Sequence, residues 1–256
     1  MRGDWRAWAA LLALGVSGCA GDTGKAKPEA QENASARSAS SASVARGAAP
    51  TDSAVPGERP VILFLGTSLT AGLGLDPDSA YPARIQRKVD SAGMNFEVVN
   101  AGVSGETSAG LLRRLDWVLR RPAAVIVVET GANDGLRGQP VAASKATIGK
   151  ILDRIVMEQP NATVLLMQME APTNLGARYT SAFHAMYPAL ARGHGVTLLP
   201  FLLEGVAGNP SLNQADGIHP NDTGEAMVAE NVWRGLKGVV ERSGGGKVRD
   251  SDPPTF

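Results

Sequence analysis

The chain reads as an α/β protein, a three-layer α/β/α sandwich around a five-stranded parallel sheet. Three features predict this. Short apolar runs without polar alternation recur along the sequence, as expected for strands buried on both faces. Between them lie stretches whose apolar residues fall at helical spacing. Glycines, 30 among 256 residues, gather at the turns after the apolar runs. Strand and helix alternating in this way place helices on both faces of one sheet.

Val61–Leu65 is the first predicted strand. A helix follows at Tyr81–Ala92, with Pro82 in the first turn, where its missing N–H has no helical partner to lose. Phe96–Val99 is the second strand. Ser108–Leu119 is a helix with Leu111, Leu112, Leu115 and Leu119 on one side. Ala124–Val128 is the third strand, and Val141–Gln159 a long helix stopped by Pro160. Thr163–Met169 is the fourth strand, Tyr179–Arg192 a helix ending at Gly193, Val196–Leu199 the fifth strand and Thr223–Val240 the closing helix. Residues 59–242 therefore form one domain. The segment 243–256, rich in Gly, Ser, Asp and Pro, is expected to be a flexible tail.

The sequence before the domain has a different character. Arg2 and Arg6 introduce a charge-free run from Ala7 to Gly18, of a length that suits an export signal and is too short to span a bilayer. The run ends Val16-Ser17-Gly18-Cys19, which resembles the lipobox of bacterial lipoproteins. Residues 1–18 are thus expected to be a lipoprotein-type signal peptide, removed before Cys19, with lipid attached at that cysteine. An exported protein is implied, anchored to a bacterial membrane and facing the periplasm or the cell exterior. Residues 19–58, dominated by Ser and Ala, cannot bury enough apolar surface to offset their ordering entropy and are expected to be a disordered tether.

Composition narrows the function. With 25 basic and 25 acidic side chains the formal charge is zero, so nothing argues for a nucleic-acid partner. One cysteine rules out an intramolecular disulfide, and three histidines with one cysteine supply few ligands for a metal site. No metal or cofactor is expected, and the protein is expected to be a monomer.

In a parallel sheet, ligands bind beyond the carboxyl ends of the strands. Four loops carry candidate chemistry. The first, Gly66–Gly72, places Ser68 just past strand one, exposed as a nucleophile would be; alone, it is equally a helix-capping serine. The second, Asn100–Thr107, holds Gly105, whose N–H can face an oxyanion, while Thr107 suits a helix cap. The third, Thr130–Gly135, offers the uncharged side-chain donor of Asn133, though Asn-Asp-Gly is also ordinary turn chemistry. The last is Asp216-Gly217-Ile218-His219-Pro220-Asn221. An aspartate three residues before a histidine lets one loop hold both side chains in contact, so that His219 can serve as base and Asp216 as its orienting acid. His184 and His194 read as surface residues.

Together these blocks resemble the SGNH (GDSL-like) hydrolase family over residues 60 to 240. Gly66-Thr67-Ser68-Leu69 is similar to its nucleophile block, Gly105 to its oxyanion glycine, Gly131-Ala132-Asn133-Asp134 to its asparagine block and Asp216–His219 to its final block. Within the family the chain is most similar to the multifunctional acyl hydrolases called thioesterase I, lysophospholipase or arylesterase. The resemblance implies a flavodoxin-like sandwich and hydrolysis of acyl esters or thioesters. It assigns Ser68, Asp216 and His219 to a catalytic triad, and Ser68, Gly105 and Asn133 to an oxyanion hole. The family usually has aspartate where this chain has Thr67, which puts altered hydrogen bonding around the nucleophile loop in prospect. An acyl groove is expected from Leu73, Leu75, Leu136, Leu175 and Tyr179. Two other readings fit the same blocks: a carbohydrate deacetylase of the family and a non-catalytic tethered binding lipoprotein.

Overall fold

A computed structural model describes residues 59–244. The signal peptide, Cys19, the tether and the tail from residue 245 lie outside the described residues. Five strands, β1 (Val61–Gly66), β2 (Glu97–Gly102), β3 (Val125–Val128), β4 (Thr163–Gln168) and β5 (Thr197–Phe201), form one parallel sheet in the order β2-β1-β3-β4-β5. Every residue of β1 and β3 is buried, which is why these two read as unbroken apolar runs. β5 lies at an edge and contains Pro200, which lacks the N–H a central strand needs.

Among the described residues, seven α-helices accompany the sheet: α1 (Ser68–Ala71), α2 (Tyr81–Ser91), α3 (Ser108–Val118), α4 (Ala132–Leu136), α5 (Val141–Glu158), α6 (Ala177–His194) and α7 (Asp222–Gly244). α3, α5 and α6 pack side by side, and α2 packs against α7. Each long helix buries one stripe. Tyr81, Ile85 and Val89 recur every four residues on α2, and Ile148, Ile151, Leu152 and Ile155 line α5. α6 carries Pro188 in its interior. The proline cannot donate to the carbonyl of His184, and the Gln168 side chain donates to that oxygen at 3.3 Å.

Three differences from the sequence expectation bear on the site. β2 runs on through Asn100–Gly102, where a loop was expected, because the Asn100 side chain donates to Thr70 O and accepts from Gly102 N, binding the strand end to the neighbouring loop. The first and third loops fold into the short helices α1 and α4. The closing helix continues to Gly244, two residues past the expected domain boundary.

The chain passes from β1 to one edge neighbour, β2, then returns across to β3 on the other side of β1. The carboxyl ends of β1 and β3 therefore flank a point where the winding reverses, and a crevice opens there.

Candidate active site

Ser68 stands at the first position of α1, directly beyond β1, where a helix N–H has no carbonyl one turn earlier to bond. Thr67 caps this helix: its hydroxyl accepts from Leu69 N at 3.4 Å. The loop before α7 brings His219 across from the other end of the chain. His219 Nε2 lies 2.8 Å from Ser68 Oγ, and His219 Nδ1 lies 2.6 Å from Asp216 Oδ2. Asp216 also accepts backbone N–H bonds from Ile218 and His219 at 2.9 and 3.0 Å, so the three-residue spacing closes on itself. Burial pushes the Asp216 carboxyl up, but the hydrogen bonds from the His219 ring and the two backbone N–H groups outweigh it and hold the group below its ordinary value. Gln214 ties this loop to the first one, donating to Leu73 O and Pro220 O.

The loops after β2 and β3 are laced together. Asn133 donates one amide N–H to Glu106 O at 3.0 Å, which fixes the amide and leaves its second N–H free to donate. Asp134 is buried and accepts from Ser108 N and Ser108 Oγ at 2.8 and 2.5 Å. Arg137 donates to Gly105 O at 3.0 Å. Gly105 has φ +75°, and this left-handed turn exposes its backbone.

A residue the sequence reading passed over holds the nucleophile loop from beneath. Glu129, the first residue after β3, is fully buried. It accepts from Thr67 N at 2.7 Å, from Thr67 Oγ1 at 3.0 and 3.1 Å and from Thr70 Oγ1 at 2.9 Å. Burial raises its pKa against the lowering effect of these donors. Thr67 thus both donates to Glu129 and accepts from Leu69, so the loop is held without the aspartate usual in the family. The approach is so close that a Cβ on Gly66 would fall 1.9 Å from Thr70 Oγ1 and 2.8 Å from Glu129 Oε2.

Beside Ser68 lies an apolar cavity, partly open to solvent. Leu69, Leu136, Met169, Phe201, Leu203 and Ile218 are among its walls. Of the five residues expected to form an acyl groove, only Leu136 lines it. Leu73, Leu75, Leu175 and Tyr179 do not: past Leu69 the walls come from the segments at the ends of β3, β4 and β5 and from Ile218. Tyr179 instead stacks on Phe183 and donates to Gln139 O. His184 and His194 stand away from Ser68 and pair with Glu170 and Asp153 at 2.6 and 2.7 Å.

Chemically, the contacts give Ser68 a base able to take its proton and give that base an anion to steady the imidazolium. Ser68 N–H, Gly105 N–H and Asn133 are uncharged donors carried by the three adjoining loops, the type of group that stabilises a tetrahedral oxyanion.

Comparison with known proteins supplies independent findings. A model of the GDSL-like Lipase/Acylhydrolase family matches residues 64–227. The chain is similar to Esterase TesA of Pseudomonas aeruginosa, 41% identical over 180 residues that cover 70% of this chain and 89% of that one. It is similar to Thioesterase 1/protease 1/lysophospholipase L1 of Escherichia coli, 40% identical over 70% of this chain and 84% of the other. Among solved structures, that of the psychrotrophic esterase EstA from Pseudoalteromonas sp., inhibited by monoethylphosphonate, superposes with a TM-score of 0.66 at 32% identity, covering 70% of this chain and 97% of that one.

Proposed function

The chain belongs to the GDSL-like lipase/acylhydrolase family, and from that premise we propose that Ser68, His219 and Asp216 carry out its ester hydrolysis. It is a hydrolase acting on esters. Ser68 Oγ attacks the acyl carbonyl as its proton passes to His219 Nε2. The oxyanion is met by Ser68 N–H, Gly105 N–H and the Asn133 amide. His219 then protonates the departing alcohol or thiol as the C–O or C–S bond breaks, leaving an acyl group on Ser68. Water then gives a proton to His219 as its oxygen adds to the acyl carbon, and the bond to Ser68 Oγ breaks, releasing the acid as His219 returns the proton to Ser68.

The observation that carries this assignment is the contact relay from Ser68 Oγ through His219 to Asp216, opening onto an apolar cavity. Acyl esters and thioesters are the substrates that suit such a cavity, and the names of the relatives, esterase and thioesterase among them, favour the same class. A chain-length series of p-nitrophenyl esters tests the assignment. Ser68→Ala should lower kcat by about 10³-fold or more while the protein stays folded; hydrolysis at the unsubstituted rate would sink it.

Export and anchoring through Cys19 complete the proposal. They are supported by the charge-free run and the Val16–Cys19 block. Metabolic labelling with a radioactive fatty acid checks them: label should enter the protein and be lost in Cys19→Ser, and equal labelling of both forms would reject the anchor.

A further inference from the structure

A second groove borders the site on its other side. Apart from Thr67, Ser68 and Leu69 after β1 and Ile218 before α7, the apolar cavity is walled by residues at or beyond the ends of β3, β4 and β5. β2 flanks β1 on the opposite side, and beyond it the loop Val103–Thr107 and the first turns of α3 line an open groove. Its character is cationic. Arg113 and Arg114 on α3 and Arg137 just past α4 face it, with Glu106 as its one acidic member. That carboxylate is committed: Arg114 holds it through Nε and Nη2, each at 2.7 Å, and Nη2 also donates to Ala101 O. Arg137 donates to Gly105 O and Arg113 is exposed, and among the described residues neither forms an ion pair. Two guanidinium groups thus stand without counter-charge on a chain whose formal net charge is zero.

Gly105 belongs to both places. Its loop is tied to the nucleophile loop by Val103 N, which donates to Gly66 O at 2.9 Å, and to Asn133 through Glu106 O; it lines the basic groove on the other side, and Arg137 grips the Gly105 carbonyl. With an acyl group in the apolar cavity, the rest of the substrate can extend over this loop towards the basic groove. The group that arrives there is the leaving group.

We propose that this groove is a binding site for a phosphate carried on the leaving group, with Arg113 and Arg137 as its ligands and Arg113 as a specificity-determining residue. The inference rests on the assignment of Ser68 as nucleophile. Guanidinium is the side chain whose planar fork matches phosphate oxygens two at a time, and its charge persists at every physiological pH. Two classes of substrate present this chemistry, a lysophospholipid through its headgroup and an acyl-coenzyme A through its nucleotide phosphates. A neutral ester of the same acid lacks it.

Matched substrate pairs provide the test. One pair is a 1-acyl lysophosphatidic acid and the monoacylglycerol of the same chain; the other is an acyl-coenzyme A and the N-acetylcysteamine thioester of the same chain. Within each pair the reacting bond is the same; the first pair differs only in the phosphate, and in the second, where the pantoate and adenosine portions differ too, the responses to salt and to Arg113→Glu isolate the charge. The measured quantity is the ratio of kcat/KM for the phosphate-bearing member to that for the neutral one. In the unsubstituted protein the ratio should exceed one in at least one pair and should fall as salt is raised. In Arg113→Glu it should drop on the order of tenfold, through KM more than through kcat. The pair that responds identifies the source of the phosphate. Ratios that ignore both salt and the substitution in both pairs overturn the proposal, with hydrolysis of the neutral members showing that the ester-hydrolase reading survives. If no member of either pair is hydrolysed, it is the assignment of Ser68 that fails.

Discussion

Glu225 should make the protein's stability fall as pH rises. This side chain lies in the first turn of α7, is almost fully buried and accepts the backbone N–H of Tyr81 at 2.7 Å, joining α7 to the start of α2. Burial pushes its pKa from the ordinary 4.5 to about 8, against the lowering effects of the Tyr81 N–H and the Arg84 charge, while Asp222 adds to the rise. Arg84, the nearby cation, is hydrogen-bonded to Asp222. Because the folded-state pKa is raised, the folded protein binds this proton more tightly than the unfolded chain. The favourable contribution is complete below pH 4.5 and is lost progressively as pH climbs to about 8. At about 1.36 kcal/mol per tenfold in proton affinity, the displacement from 4.5 to 8 corresponds to roughly 3 to 5 kcal/mol once some relaxation is allowed. Glu225→Gln keeps an acceptor for the Tyr81 N–H and cannot ionise. It should match the unsubstituted protein at pH 4.5 and exceed it at pH 9 by about that amount, or about 10 °C in melting temperature for a domain of this size. Urea and thermal unfolding at both pH values measure the difference. A gap between the two proteins that stays constant from pH 4.5 to 9 would refute the reasoning.

Two other perturbations probe the site. Glu129→Ala leaves two buried hydroxyls and the Thr67 N–H without their acceptor, at about 1 to 3 kcal/mol each if none finds another partner. It should lower the melting temperature and also cut kcat for a neutral ester at least tenfold while KM moves by less than about twofold; unchanged kcat in the folded variant would show that Glu129 does not position Ser68. Ala207→Phe intrudes on the apolar cavity and should move the preferred acyl chain to shorter lengths, at about 0.8 kcal/mol, or close to fourfold in kcat/KM, for each methylene excluded. A chain-length optimum that does not shift would mean that the acyl group lies elsewhere.

What the sequence made legible was local. The apolar runs of β1 and β3 are buried on both faces and therefore carry no alternation to confuse with another pattern. Helix stripes such as Tyr81, Ile85 and Val89 repeat at the helical period. The contact of Asp216 with His219 follows from a spacing of three in one turn, and the proximity of Ser68 to that turn follows from both lying at the carboxyl ends of one parallel sheet. These are statements about neighbours in sequence or about the winding of the chain, and both can be read from a pattern.

What stayed hidden depends on loops crossing one another. Of the expected acyl groove only Leu136 was placed correctly for this reason: Leu73 and Leu75 lie close to Ser68 in sequence, yet past Leu69 most of the cavity wall comes from the ends of strands on the far side of β1, through Met169, Phe201 and Leu203. Glu129 was invisible because a lone carboxylate after an apolar run resembles a charge that ends a strand at the surface. Only the crossing of the β1 loop over the end of β3 turns it into a buried acceptor with three donors waiting. The same crossing answers the question raised by Thr67. In this chain a hydroxyl occupies the position beside the nucleophile, and it meets a buried carboxylate by donating a proton. An aspartate placed there would bring a second acid against Glu129, and the two could share the space only by holding a proton between them. Thr67 holds the loop with one ionisable group instead of two, and Glu129 is that group.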